Sequence, residues 1–104
     1  MEKADSALKA AIKIGEIQNL PIDAAHSRIN YGNLELKKGS YSQALNEYNK
    51  AKQVFMTYNE VAGIIKATTN IGICHMYFSN YEAASIEYHL ALQMAQKNDK
   101  FITF

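Results

Sequence analysis

The sequence has no tryptophan, one proline (Pro21) and one cysteine (Cys74) in 104 residues. A single thiol closes no internal disulfide, and nothing else points to an oxidising compartment, so the chain is expected to be cytoplasmic. Basic runs stop at the pair Lys37-Lys38, and eleven Lys and Arg against ten Asp and Glu leave a formal charge of +1. That balance excludes nucleic acid as the main partner, because such binding rests on neutralising many phosphates. Long apolar runs are missing too. The opening stretch MEKADSALKAAIKIGEIQ carries acids among its lysines, so it reads as neither a signal peptide nor a membrane span, and no membrane partner is expected.

Chemistry-bearing motifs are as scarce. There is no glycine-rich phosphate loop, no paired-carboxylate arrangement and no serine-nucleophile motif, so no enzymatic activity and no cofactor are expected. Cys74 and His75 are adjacent, which on a helix sets them about 100° apart and prevents a nucleophile and base pair. Cys74 reads instead as an inert buried thiol. His26, His75 and His89 lack companions at metal-ligand spacing, so no metal site is expected, and His89 reads as solvent-facing.

What the sequence does hold is a copy of itself shifted by 40 positions. Ala4, Leu8 and Ala11 recur as Ala44, Tyr48 and Ala51, then as Ala84, Tyr88 and Ala91. Asn30, Gly32, Gly39 and Tyr41 recur as Asn70, Gly72, Ser79 and Tyr81. A fixed period in this range marks a stacked array, in which each unit buries its apolar face against a neighbour. With 48% hydrophobic and 20% charged residues, the composition is that of a single soluble domain.

Apolar residues three and four apart predict helix nearly throughout. One helix type runs through Ala4, Ala7, Leu8, Ala11, Ile12 and Ile14, and again through Ala44, Leu45, Tyr48, Ala51, Val54 and Phe55. Its third copy holds Ala84, Ile86, Tyr88, Ala91, Leu92 and Ala95. A second type spans 22–38 and 61–78, each copy closed by a breaker pair at Gly39-Ser40 or Ser79-Asn80. Ser40 is expected to cap the third helix with Gln43 reaching back, Asn80 to cap the fifth, and Pro21 to sit in a first helical turn. Gly32 and Gly72 each cost about 1 kcal/mol relative to alanine inside a helix, so a packing gain must offset them. The expected gain is close approach of Gly32 to Ala44 and of Gly72 to Ala84. Tyr41, Tyr48, Tyr81 and Tyr88 would then fill the core beside that contact with their hydroxyls reaching outward.

These residues resemble the tetratricopeptide repeat. That family's pattern sets a Gly in the middle of the first helix of a hairpin (helix A), then Gly-x-Tyr-x-x-Ala across the turn. An aromatic follows four residues later on the second helix (helix B), and an Ala three beyond it. Here the pattern reads Gly32, Gly39 to Ala44, Tyr48 and Ala51, then Gly72, Ser79 to Ala84, Tyr88 and Ala91. A period of 40, against about 34 in the family, is similar to the long-helix repeats of spindle-orientation scaffolds and bacterial peptide-sensing regulators. Arg28 and Thr68 depart from the family, which sets a large apolar residue four before the Gly. A HEAT or armadillo array shares the hairpin length without explaining Gly-x-Tyr-x-x-Ala.

The resemblance implies an all-α solenoid of five helices in a right-handed superhelix. It comprises a half repeat (1–18), two complete repeats (19–58 and 59–98) and the truncated start of another (99–104, with Phe101, Ile102 and Phe104). It implies a protein-interaction scaffold that binds a peptide on the concave face lined by the A helices. Carried over by position, that face presents His26, Ile29, Asn30, Asn33, Leu36 and Lys37, then Lys66, Thr69, Asn70, Ile73, Met76 and Tyr77. Asn30 and Asn70 are the central pair, since a carboxamide both donates to and accepts from a peptide backbone. Lys37 and Lys66 add a mild preference for acidic partners. The family's clamp for acidic carboxyl-terminal tails needs a basic residue four before Asn33, where this chain has Ile29. The alternative to peptide binding is a homodimer through the end helices, whose outer faces lack a partner hairpin.

Overall fold

The computed structural model describes residues 2–98, and the expected start of a further repeat at 99–104 lies outside them. Over that range the protein is all-helical. The helices are α1 (Glu2–Ile17), α2 (Pro21–Lys37), α3 (Tyr41–Thr57), α4 (Val61–Tyr77) and α5 (Tyr81–Lys97), and no strand occurs among the described residues. Each helix packs on the next in the chain, and α2 also touches α4. Neighbouring pairs of this kind are consistent with a helical repeat.

Four turns of one design set this spacing. Asn19, Gly39, Asn59 and Ser79 all adopt positive φ, at intervals of 20 residues. Each is followed by a residue whose N–H reaches back five positions: Leu20 to the carbonyl of Gly15 (2.7 Å), Ser40 to Glu35 (2.9 Å), Glu60 to Phe55 (2.8 Å) and Asn80 to His75 (2.8 Å). This is the Schellman closure, which satisfies carbonyls orphaned at a helix C-terminus. The breaker pairs at 39–40 and 79–80 lie where expected, and α2 and α4 stop at Lys37 and Tyr77, one residue earlier than the spacing suggested.

Helix starts are less uniform. Pro21 opens α2 in its first turn, and Asn80 caps α5 by accepting from the Ala83 N–H at 3.4 Å. The capping box expected at Ser40 is absent: its side chain makes no cap bond, and Gln43 donates to Glu47 at 3.3 Å instead of reaching back. Glu47, one turn along α3, offers that amide an acceptor nearly lost to solvent, at 3% exposure.

The core lies at the centre of the stack. Ala25 and Ile29 of α2, Ala44, Tyr48, Ala51 and Phe55 of α3, and Ile64, Ala67, Ile71 and Cys74 of α4 form one buried cluster. The close approach at the helical glycines differs from the expected pairing with alanine. A Cβ built on Gly32 would stand 2.6 Å from the Tyr48 ring, and one on Gly72 would stand 2.8 Å from the Tyr88 ring. In each repeat the aromatic lies over the glycine, and the missing Cβ is the space the ring occupies. Gly63 makes the same kind of room for the Phe55 ring, between α3 and α4. The Tyr48 hydroxyl does not reach outward: it donates to Asn33 Oδ1, and burial raises its pKa.

Arg28 tightens the first repeat, although the family pattern has an apolar residue there. Its guanidinium spans three helices, with Nη1 on Glu47 of α3 at 2.8 Å and Nη2 on Glu16 of α1 at 3.3 Å. Forty residues on, Thr68 and Glu87 occupy the positions of Arg28 and Glu47. There Thr68 Oγ1 and Glu87 Oε2 are buried with no hydrogen-bond partner among the described residues. The Arg28–Glu47 ion pair of the first copy thus has no counterpart in the second.

Candidate functional site

The helix periodicity of α2 and α4 decides which expected site residues reach solvent. Successive residues on a helix are rotated by about 100°, so neighbours in sequence divide between core and surface. Ile29, expected on the partner-facing side, is fully buried in the core cluster and is not available to a ligand, whereas Asn30, one step on, is exposed. Leu36 is half-buried against the same cluster.

Three more of the expected residues have structural partners. The half-buried His26 ring packs tilted on Phe55 with centroids 4.9 Å apart, and Asn33 accepts from the Tyr48 hydroxyl. The Thr69 hydroxyl donates to the Ile65 carbonyl one turn back at 2.8 Å. The remaining residues keep free surface. Lys37, Lys66, Met76 and Tyr77 are exposed, and Asn70 and Ile73 are half-buried. Ile73, Met76 and Tyr77 of α4, with Tyr88 of α5, line an opening of about 380 Å³. The sequence reading therefore divides, with an apolar end on α4 and an exposed carboxamide on α2.

A second opening of about 380 Å³, between α4 and α5, lay outside that reading. It is lined by Met76 of α4 and by Tyr81, Ala84, Ser85, Tyr88, His89 and Leu92 of α5. The tyrosines were expected to be core, yet Tyr81 is 62% exposed and Tyr88 37%, whereas Tyr48, the counterpart of Tyr88, is fully buried. The difference is a covering helix. Tyr41 stacks on Tyr77 and Phe78 at the end of α4, with centroids 5.0 and 6.0 Å apart, and α4 packs along α3 and touches α2. Nothing among the described residues does the same for α5. The repeat held part of this signal, since the groove between α2 and α3, which α4 fills, recurs 40 residues later between α4 and α5.

Cys74 is fully buried at the α3–α4 contact, and burial pushes its thiol from 9.0 up to about 11. At neutral pH it is a protonated, inert side chain. No helix among the described residues is long and apolar enough to cross a membrane. Comparisons with protein-family models, with curated proteins and with solved structures return no match.

Proposed function

We propose that the chain is a non-enzymatic protein-interaction scaffold, a tetratricopeptide-like solenoid of long hairpins in a right-handed superhelix. Its α2 and α4 face binds an extended or helical segment of a partner protein. The observation that carries the reading is the solvent-accessible apolar end Ile73, Met76 and Tyr77 on α4, which begins one turn from Asn70, with Asn30 exposed at the equivalent position of α2. Apolar pockets beside backbone-binding amides suit a peptide held in register, with side-chain anchors at one end. Exposed Lys37 and Lys66 favour acidic residues in that segment. No cofactor enters the proposal, and the place of action proposed is the cytoplasm.

The test uses peptides chosen from a random display library for binding to the chain. Replacing Asn30 and Asn70 together by Ala is expected to weaken those peptides by about thirtyfold, since each of the two lost hydrogen bonds is worth roughly 1 kcal/mol, while helicity stays unchanged. Undiminished binding by a folded double variant would show that the amides are not the ladder.

The end helices favour a second reading, self-association. Ile14 and Ile17 of α1 are 52% and 74% exposed, and Ile86 and Leu90 of α5 are 56% and 43%. Large apolar side chains gathered at both ends suit a contact between copies. Light scattering from micromolar to millimolar concentration decides this: a growing dimer fraction supports it, and a monomer throughout removes it.

A further inference from the structure

We propose that Glu87 of α5, with Thr68 of α4 and Met56 of α3, forms a binding site for a guanidinium group carried by another molecule. The site shares no residue with the amide-bearing face of α2 and α4, and the two proposals fail independently.

The first copy shows what this carboxylate needs when it is taken out of water. Glu47, 3% exposed, has a donor for each oxygen: Arg28 Nη1 donates to Oε1 at 2.8 Å, and Gln43 Nε2 to Oε2 at 3.3 Å. The same guanidinium extends through Nη2 to Glu16 of α1 at 3.3 Å. Forty residues on, the groups around the carboxylate change together. Arg28 becomes Thr68, Gln43 becomes Ala83 and Glu16 becomes Met56, while the carboxylate stays as Glu87. Alanine has no side-chain donor, and threonine is too short to reach as arginine does. Glu87 Oε2 and Thr68 Oγ1 are both buried with no hydrogen-bond partner among the described residues, and Thr68 as a whole is 1% exposed. The neighbours of Glu87 one turn away on α5 are Ala83, Ala84, Leu90 and Ala91, which offer no side-chain donor. The register brings no later residue to it either, since both donors to Glu47 precede Glu47 in the chain.

Holding a carboxylate oxygen away from water without a donor is costly, and most costly when the group is charged. A water molecule would satisfy the oxygen and leave the charge uncompensated, so the missing part is a cation. Its shape follows from Arg28, a planar guanidinium set between two helices with one nitrogen on the carboxylate. With Met56 where Glu16 stood, the third side is apolar, which suits a weakly hydrated guanidinium better than a strongly hydrated ammonium ion. The Thr68 hydroxyl can accept a second N–H. Solvent still reaches the site, as Glu87 is half-buried and Met56 is 52% exposed. An arginine side chain of a partner protein and a free guanidinium compound share this chemistry.

The probe is methylguanidinium chloride, titrated at millimolar concentration into the full isotope-labelled chain, with methylammonium chloride at matched ionic strength as control. Saturable amide shifts are expected at Met56, Thr68, Ala83 and Glu87 with methylguanidinium and not with methylammonium. Glu87→Gln keeps the size of the side chain and is expected to weaken methylguanidinium by about tenfold or more, because hydrogen bonds to a charged group are the stronger kind. Thr68→Arg, which rebuilds the pair of the first copy inside the chain, is expected to abolish methylguanidinium binding and to raise Tm. A blocked Gly-Arg-Gly tripeptide separates the sources. Tripeptide binding that Glu87→Gln weakens assigns the site to arginine on a partner protein, and methylguanidinium binding without tripeptide binding assigns it to a free small molecule. No saturable shift, equal shifts with methylammonium, or binding that Glu87→Gln leaves unchanged would overturn the site. A Thr68→Arg chain no more stable than the parent would overturn it too, since the same group tethered in place would have failed to pair with Glu87.

Discussion

Replacing Gly32 and Gly72 separately by Ala poses one question to two copies of the same hairpin. Each substitution gains about 1 kcal/mol of helix propensity. Each also sets a Cβ against a tyrosine ring, at 2.6 Å for Gly32 and 2.8 Å for Gly72, where something has to shift. What decides the sign is whether the ring can move. Tyr48 is fully buried in the core cluster with its hydroxyl held by Asn33, so Gly32→Ala overpacks a closed site, at a cost of up to about 3 kcal/mol. The net loss is about 2 kcal/mol, a fall of about 8 °C or more in Tm for a chain of this size. Tyr88 is 37% exposed on an open groove and can swing aside, so Gly72→Ala is expected to be neutral or to raise Tm slightly. Thermal unfolding followed by circular dichroism at dilute concentration reads both. Equal losses at the two positions would refute the open groove, and a harmless Gly32→Ala would refute the ring-over-glycine contact.

Other substitutions probe the polar contacts. Thr68→Val removes a buried hydroxyl that has no partner among the described residues and is expected to stabilise the chain by about 1 kcal/mol in urea unfolding. Arg28→Ala strands the Glu47 carboxylate, whose side chain is 4% exposed, and is expected to cost about 3 kcal/mol in the same assay. Alkaline pH offers a third test. The folded thiol of Cys74 ionises near 11 against 9.0 when unfolded, so its contribution is fully present below pH 9 and is lost as the pH rises through 11. Tyr48, also raised by burial, adds loss at still higher pH. Cys74→Ala is expected to remove part of the fall in Tm between pH 8 and pH 10.5, and an unchanged slope would show that the thiol is not buried in solution.

The number of helices, their order and two of the turns were legible because the repeat displays each feature twice. The other two turns were not, since Asn19 and Asn59 look like ordinary polar residues until the backbone shows their positive φ. Tyr48 was read as core, but its partner was misjudged, because sequence spacing does not say whether an alanine or a ring occupies the space over a glycine. Ile29 and Asn30 show the same limit at the site. A stripe inferred from spacing is accurate to about one residue, and one residue here separates the core from the surface. Gly63 against Phe55 and Arg28 on Glu47 were hidden for another reason: they join different helices and have no copy elsewhere in the chain to reveal them. Tyr81 and Tyr88 match their counterparts in type and differ in how far the described residues cover them, which residue type does not reveal.

The measurement that tests the central claim most directly is amide shift mapping of a display-selected peptide on the isotope-labelled chain. The account expects perturbations along α2 and α4, at Asn30, Lys37, Asn70, Ile73, Met76 and Tyr77. Perturbations confined to α1 and α3, with Asn30 and Asn70 unmoved, would contradict it.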